Sequence, residues 1–227
     1  MSDLELEAVW LSLSIAARSV AFNLPFAIAV AWLLTRTRFA GRVLFDAFVH
    51  LPLVLPPVVV GYLLLVLCGV RGPVGGWLHE HFGIRLAFTG TGAALATAVM
   101  SFPLMVRAIR ISLENVDRGL EEAARTLGAG PVDRFSSITL PLMLPGVLAG
   151  AVTAFAAGLG EFGAVITFAS NIPGETRTLP LALYTAIQSP DGDALAARLA
   201  MISLTLGLVG LLLSELLART LRRRLGR

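Results

Sequence analysis

Apolar residues in this chain gather into five long continuous runs, roughly Val9–Leu34, Leu44–Val70, Thr89–Val106, Leu142–Phe168 and Ala194–Ala218, separated by polar connections that carry arginine. A hydrocarbon core about 30 Å thick takes roughly 20 helical residues to cross, so each run is of spanning length. Only helices and closed barrels satisfy their backbone in lipid. Continuous runs, rather than alternating segments of about ten residues, select helices. The pattern predicts an all-α polytopic membrane protein of about five spans, forming one transmembrane domain over 1–227.

The connections carry their own signals. Arg71–Phe88 has Gly-Pro and Gly-Gly turns around a short Trp-containing segment, and Asn171–Asp193 has three prolines around a stretch with Tyr184. Each reads as a short surface or re-entrant helix. The longest connection, about 107–141, holds a charged helix from Glu121 that ends at Gly128. Gly128, Gly130 and Pro131 then predict a sharp turn. Pro131 starts a second helical stretch, expected to stop at Leu140-Pro141, where the fourth span begins. A helix–turn–helix between two spans is either a docking device or a solvated connector.

Composition and charge sharpen this picture. Of 227 residues 56% are apolar and 15% charged, with mean hydropathy +0.80, whereas soluble domains are about a quarter charged. All eighteen basic residues are Arg. They lie between apolar runs without aromatic interleaving, which argues against nucleic acid as a partner. Thirteen arginines fall in the 35–43 and 107–141 connections and the C-terminal tail, against three on the other side. The positive-inside rule then puts the N-terminus outside and the C-terminus and the 107–141 loop in the cytoplasm. Met1–Glu7 is acidic and free of Arg, unlike the start of a signal peptide, so the first span is expected to remain in the protein. Cys68 is the single cysteine, which excludes an intramolecular disulfide framework and reads as a small buried hydrophobe. Without Lys there is no phosphate-binding Gly-x-x-x-x-Gly-Lys loop, so any ATP belongs to another subunit.

Some residues sit oddly at membrane depth. Glu161 costs a few kcal/mol there, and so faces a cavity or a partner, or bonds a neighbouring backbone group. Pro52, Pro56 and Pro57 interrupt the second run, which marks either a pathway-lining broken helix or a kink for packing. Ser101, Phe102 and Pro103 in the third run read alike, with Phe102 a candidate plug. Arg18 snorkels, pairs at an interface or meets an anion. Glu215 pairs with Arg219 at helical spacing. His50 begins a span, and His79 with His81 are too few for a zinc site.

The order Glu122-Ala123-Ala124, three residues, Gly128, nine residues, Ile138, one residue, Leu140-Pro141 resembles the EAA loop of ABC-importer permeases. His50–Tyr62, Met100–Arg110, Gly160–Ala164 and Ser170–Pro180 are similar to the molybdate-type permeases, with sulfate/thiosulfate permeases as relatives of related architecture. The resemblance implies a type I ABC importer permease fold in a prokaryotic inner membrane. It implies that Glu122, Ala123, Ala124 and Gly128 contact an ATP-hydrolysing subunit, while Ile138, Leu140 and Pro141 pack the return. It places Gly160, Glu161, Phe162 and Gly163 near the translocation path, beside Pro56, Pro57, Ser101 and Phe102. Its implied partners are a second copy of the chain, two cytoplasmic ATPase subunits that hold the ATP and Mg, and an external oxyanion-binding protein. The chain itself would hold no cofactor and carry no catalytic residue. The competing readings are a sulfate/thiosulfate-type ABC permease and, from other classes, a channel or membrane scaffold that docks an ATPase and a membrane-embedded enzyme, for which the sequence lacks a convergent His/Asp/Glu constellation.

Overall fold

The structure is a computed structural model describing residues 2–224, without the side chains of 211 and 213–224. The expected Glu215–Arg219 pair lies outside the described side chains. The described residues form helices and no strand, beginning with α1 (Asp3–Arg36), α2 (Arg42–His50), α3 (Pro57–Cys68), α4 (Pro73–Phe82) and α5 (Gly90–Glu114). The chain continues through α6 (Arg118–Thr126), α7 (Pro131–Arg134), α8 (Leu140–Leu159), α9 (Gly163–Phe168), α10 (Leu179–Ile187) and α11 (Asp193–Arg224). Four helical stretches are long and apolar enough to cross a membrane, and a bent pair makes a fifth.

Helix α1 starts from a capping box, in which Ser2 Oγ accepts from Glu5 N–H and the Glu5 carboxylate accepts from Ser2 N–H. Its buried face is a line of mostly small residues, among them Ala8, Ser12, Ala16, Ser19, Ala27 and Ala31. Small residues let helix backbones approach closely where lipid supplies no hydrophobic drive. Helix α1 packs along α5, and α5 along α8. Gly146 and Gly150 of α8 sit against Ser112 and the Met105 carbonyl of α5, at positions where no side chain would fit without a shift. Leu34, Met105, Ile109, Leu113 and Met143 fill the core between the three helices. Polar links also join the elements. Asn23 Nδ2 donates to Ala98 O at 2.8 Å, Leu179 N–H donates to Ser12 Oγ at 2.7 Å, and Arg198 Nε donates to the buried Glu5 carboxylate at 2.6 Å.

Two apolar runs are divided, and one helix of the connections runs further than its sequence predicts. Leu44–Val70 is two helices, α2 with a 3-10 turn at Leu51–Leu53 and then α3, bent by 110°. Pro52, Pro56 and Pro57 remove three N–H donors there and disfavour helical backbone before each ring. Leu142–Phe168 is interrupted after Leu159, and α9 begins afresh at Gly163. The helix from Pro131 does not stop at Leu140-Pro141; it runs on to Leu159. A π turn at Phe135–Thr139, in which Leu140 N–H bonds Phe135 O, widens the helix where the Pro141 ring would otherwise crowd the carbonyl four residues back. The two short helices expected in the connections are α4 and α10.

Helices α3 and α9 cross through two glycines. A Cβ on Gly61 would lie 2.7 Å from Ala164 O and 2.8 Å from Thr167 Cβ, and one on Gly163 would lie 2.7 Å from Pro57 Cβ. In an unconstrained helix Gly→Ala stabilises by about 1 kcal/mol. Here Gly61→Ala is expected to destabilise by about 1–3 kcal/mol through overpacking, read as a lower melting temperature of the detergent-purified chain. A raised melting temperature would show that the crossing is looser than this.

Candidate functional site

Helix α6 is the most polar of the helices and lies between the ends of two long ones. Asp117 caps its start, its Oδ1 accepting from Gly119 N–H at 2.8 Å. Its end is a Schellman motif, with Ala129 N–H donating to Ala124 O at 3.0 Å and Gly128 N–H to Arg125 O at 3.1 Å. This geometry needs a left-handed residue, and Gly128 has φ +91°. Gly130 and Pro131 then start the next helix at once.

No motif marks Glu121 beyond its place at the start of a charged helix, yet one of its carboxylate oxygens holds α6 in place. Glu121 Oε1 accepts from Arg36 Nη2 at 3.0 Å and from Thr139 Oγ1 at 2.7 Å. Arg118 Nη2 adds a bond to Thr35 O at 3.3 Å. Helix α6 is thereby tied both to the last turn of α1 and to the π turn that leads into α8. The Arg36 side chain is only 9% exposed and that of Glu121 22%, so this pair is shielded far more than a surface ion pair. Residues 36, 121 and 139 are remote in the chain, and no local spacing connects them.

The other face of α6 is open. Leu120 is exposed, Leu127 is 89% exposed, and Val132 just beyond the turn is 80% exposed. Glu122 and Ala123 are also exposed, Ala124 is half-buried, and Gly128 protrudes at the turn. This is an apolar, small-residue surface edged by charge on a helix bolted to two spans. Ile138 and Leu140 are half-buried and Pro141 is exposed at the return into α8.

The candidates at membrane depth divide into two groups. Pro56, Pro57, Gly160, Glu161, Phe162 and Gly163 come together where α3 crosses α9. Glu161 Oε1 accepts from Ala164 N–H at 2.9 Å, so the carboxylate caps the broken helix, and Phe162 packs on Tyr184 with ring centroids 5.1 Å apart. Ser101 lies elsewhere, 1% exposed and accepting from Asn23 Nδ2 at 3.3 Å. Phe102 packs against the α1–α5–α8 core. His50 bonds Asp46 one turn back, and His81 bonds Trp77. Among the described residues no three His, Cys, Asp or Glu side chains cluster to hold a metal.

This fold is shared with bacterial ABC transporters of known structure. A crystal structure of a bacterial alginate ABC transporter, in complex with an alginate pentasaccharide-bound periplasmic protein, superposes with a TM-score of 0.75 at 19% identity, covering 99% of this chain and 80% of that one. The chain belongs to the family of binding-protein-dependent transport system inner membrane components, which it matches over residues 23–223. It is 61% identical over 227 residues to the molybdenum transport system permease protein ModB of Escherichia coli (strain K12), covering 100% of this chain and 99% of that protein. It is 40% identical over 206 residues to the sulfate transport system permease protein CysT of the same strain, covering 91% of this chain and 72% of that one.

Glu121→Ala leaves Arg36 shielded without its carboxylate. A cost on the order of 2 kcal/mol is expected, below the full buried-pair figure because Glu121 is partly exposed. Amide exchange in 118–126 should rise while that of α5 holds. Unchanged exchange in α6 would mean that other contacts fix it.

Proposed function

We propose that this chain is the membrane-spanning subunit of an ATP-driven importer that carries molybdate, and tungstate with it, into the cytoplasm. The observation that carries the transport reading is α6, a helix fastened to the ends of α1 and α8 with its opposite, apolar face free. The 61% identity to a molybdenum permease along the full chain, against 40% to a sulfate permease, supports molybdate as the cargo. The working unit is a homodimer with its path on the two-fold axis, since five spans are too few to enclose a gated route and like subunits close best by two-fold symmetry. Two ATPase subunits, which bind the ATP and Mg, receive the paired α6 helices on the arginine-rich side. An external binding protein delivers the oxyanion to the other side.

The geometry supplies a lever for such a cycle. Movement of α6 reaches α1 through Arg36–Glu121, and reaches α8 through Glu121–Thr139 and the continuous helix from Pro131 to Leu159. At Gly160 the helix stops, and the Glu161 cap and the Gly163–Pro57 contact pass the displacement to α9 and α3. A broken helix at a crossing of small residues is suited to two discrete packings, which is what alternating access requires. Selectivity resides largely in the binding protein, so the path needs no tight oxyanion site.

The test is ATP hydrolysis by the permease–ATPase complex in liposomes with binding protein and molybdate, tungstate or sulfate. Stimulation by molybdate and tungstate is expected, and stimulation by sulfate alone would reassign the cargo. No stimulation in an intact complex would favour a channel or scaffold. Gly128→Ala forces an L side chain into left-handed backbone at about 1–2 kcal/mol. Together with Glu122→Ala it should abolish stimulation while insertion and dimerisation survive, and full stimulation would remove α6 from the docking role.

A further inference from the structure

A cavity of about 890 Å³ lies between α1 and the polar side of α6, bordered by the Arg36–Glu121–Thr139 link and by Glu122 and left open beside them. Its wall on α1 is one helical stripe, Pro25, Ile28, Ala29, Trp32 and Leu33, which ends at Arg36. Its floor is basic. Arg36, Arg118, Arg125 and Arg134 line it against Glu121 and Glu122, a surplus of two positive charges. Arg36 spends Nη2 on Glu121, but its Nε is buried with no partner, and a shielded donor left unpaired is costly. On α6 this basic face, at positions 118, 121, 122 and 125, is opposite the one bearing Leu120 and Leu127.

We propose that this cavity binds one anionic phospholipid, its phosphate among Arg36, Arg118, Arg125 and Arg134 and an acyl chain along the α1 stripe. The dimensions select a lipid. Pro25 to Arg36 rises roughly 16 Å at 1.5 Å per residue, close to the roughly 15 Å of hydrocarbon in one leaflet. A free phosphate would leave that apolar wall bare. A lipid of no net charge would leave the basic surplus unneutralised, whereas anionic headgroups seek basic pockets of this kind beside membrane helices. Trp32, 42% exposed, stands between stripe and floor, where an aromatic ring fits the interface. The headgroup touches both α1 and α6, so the lipid reinforces the attachment that Glu121 and Arg118 make. The proposal requires only that the chain lies in a bilayer, and it stands whichever oxyanion is carried.

Native mass spectrometry of the full chain, released from detergent with dioleoylphosphatidylglycerol or dioleoylphosphatidylcholine, tests it. At least ten-fold greater retention of the phosphatidylglycerol is expected, falling to the phosphatidylcholine level in Arg125→Gln/Arg134→Gln. Neither glycerophosphoglycerol nor inorganic phosphate should displace it. Equal retention of the two lipids, retention untouched by the arginine changes, or displacement by inorganic phosphate would each overturn the proposal. A photoactivatable phosphatidylglycerol provides a readout independent of variants, with attachment expected within 25–36. Attachment elsewhere, or a cysteine at position 29 cross-linking to a second copy instead, would overturn it equally.

Discussion

Helices in lipid are held together by how closely their backbones approach, because hydrocarbon tails compete with every apolar side chain. That constraint accounts for the alanine and serine face of α1 and for Gly146 and Gly150 against α5. It also explains why a few polar contacts, such as Asn23 on Ala98 O and Ser12 on Leu179 N–H, occur between helices whose other contacts are apolar. Each such bond averages only about 0.6 kcal/mol in comparable proteins, but it is directional and fixes which turn of one helix meets which turn of the next.

The same rule governs where the chain departs from regular helix. An unpaired backbone group in hydrocarbon costs several kcal/mol, so breaks survive only where protein covers them. The proline-rich bend between α2 and α3 and the gap at 160–162 meet these terms together: α3 lies on α9, Gly61 and Gly163 permit the contact, and Glu161 satisfies an N–H at the start of α9. The two interruptions support each other, and at their crossing two apolar runs are divided into shorter helices.

Force applied at α6 has a short route to that place. The helix has few contacts of its own, and its position rests on one carboxylate shared between Arg36 and Thr139, with Arg118 on Thr35 O beside it. An ion pair shielded to this degree is stiff compared with a solvated one, and the helix it joins at 131–159 is unbroken despite Pro141 and Pro145, the π turn accommodating the first. A helix that is exposed, small and apolar on one face and fastened by charge on the other is suited to passing on a push.

Much of this was legible in the chain itself. The five runs, the two surface helices, the α6 turn at Gly128 and the Glu122-Ala123-Ala124 pattern all depend on local composition and spacing, which act within a few residues. Even the Pro56–Pro57 break is local, since a ring removes an N–H whatever surrounds it. The angle of that bend was not legible, nor was the pairing of α3 with α9, because both depend on which surfaces meet. For Glu161 the sequence left open a place at the path or a bond to a neighbouring backbone group, and the packing shows the bond to Ala164 N–H; that Ser101 meets Asn23 of α1 was not legible. Glu121 went unremarked beside its more recognisable neighbours. Its importance comes from Arg36 and Thr139, and only the packing of α1 against α8 brings those two side chains to the same oxygen.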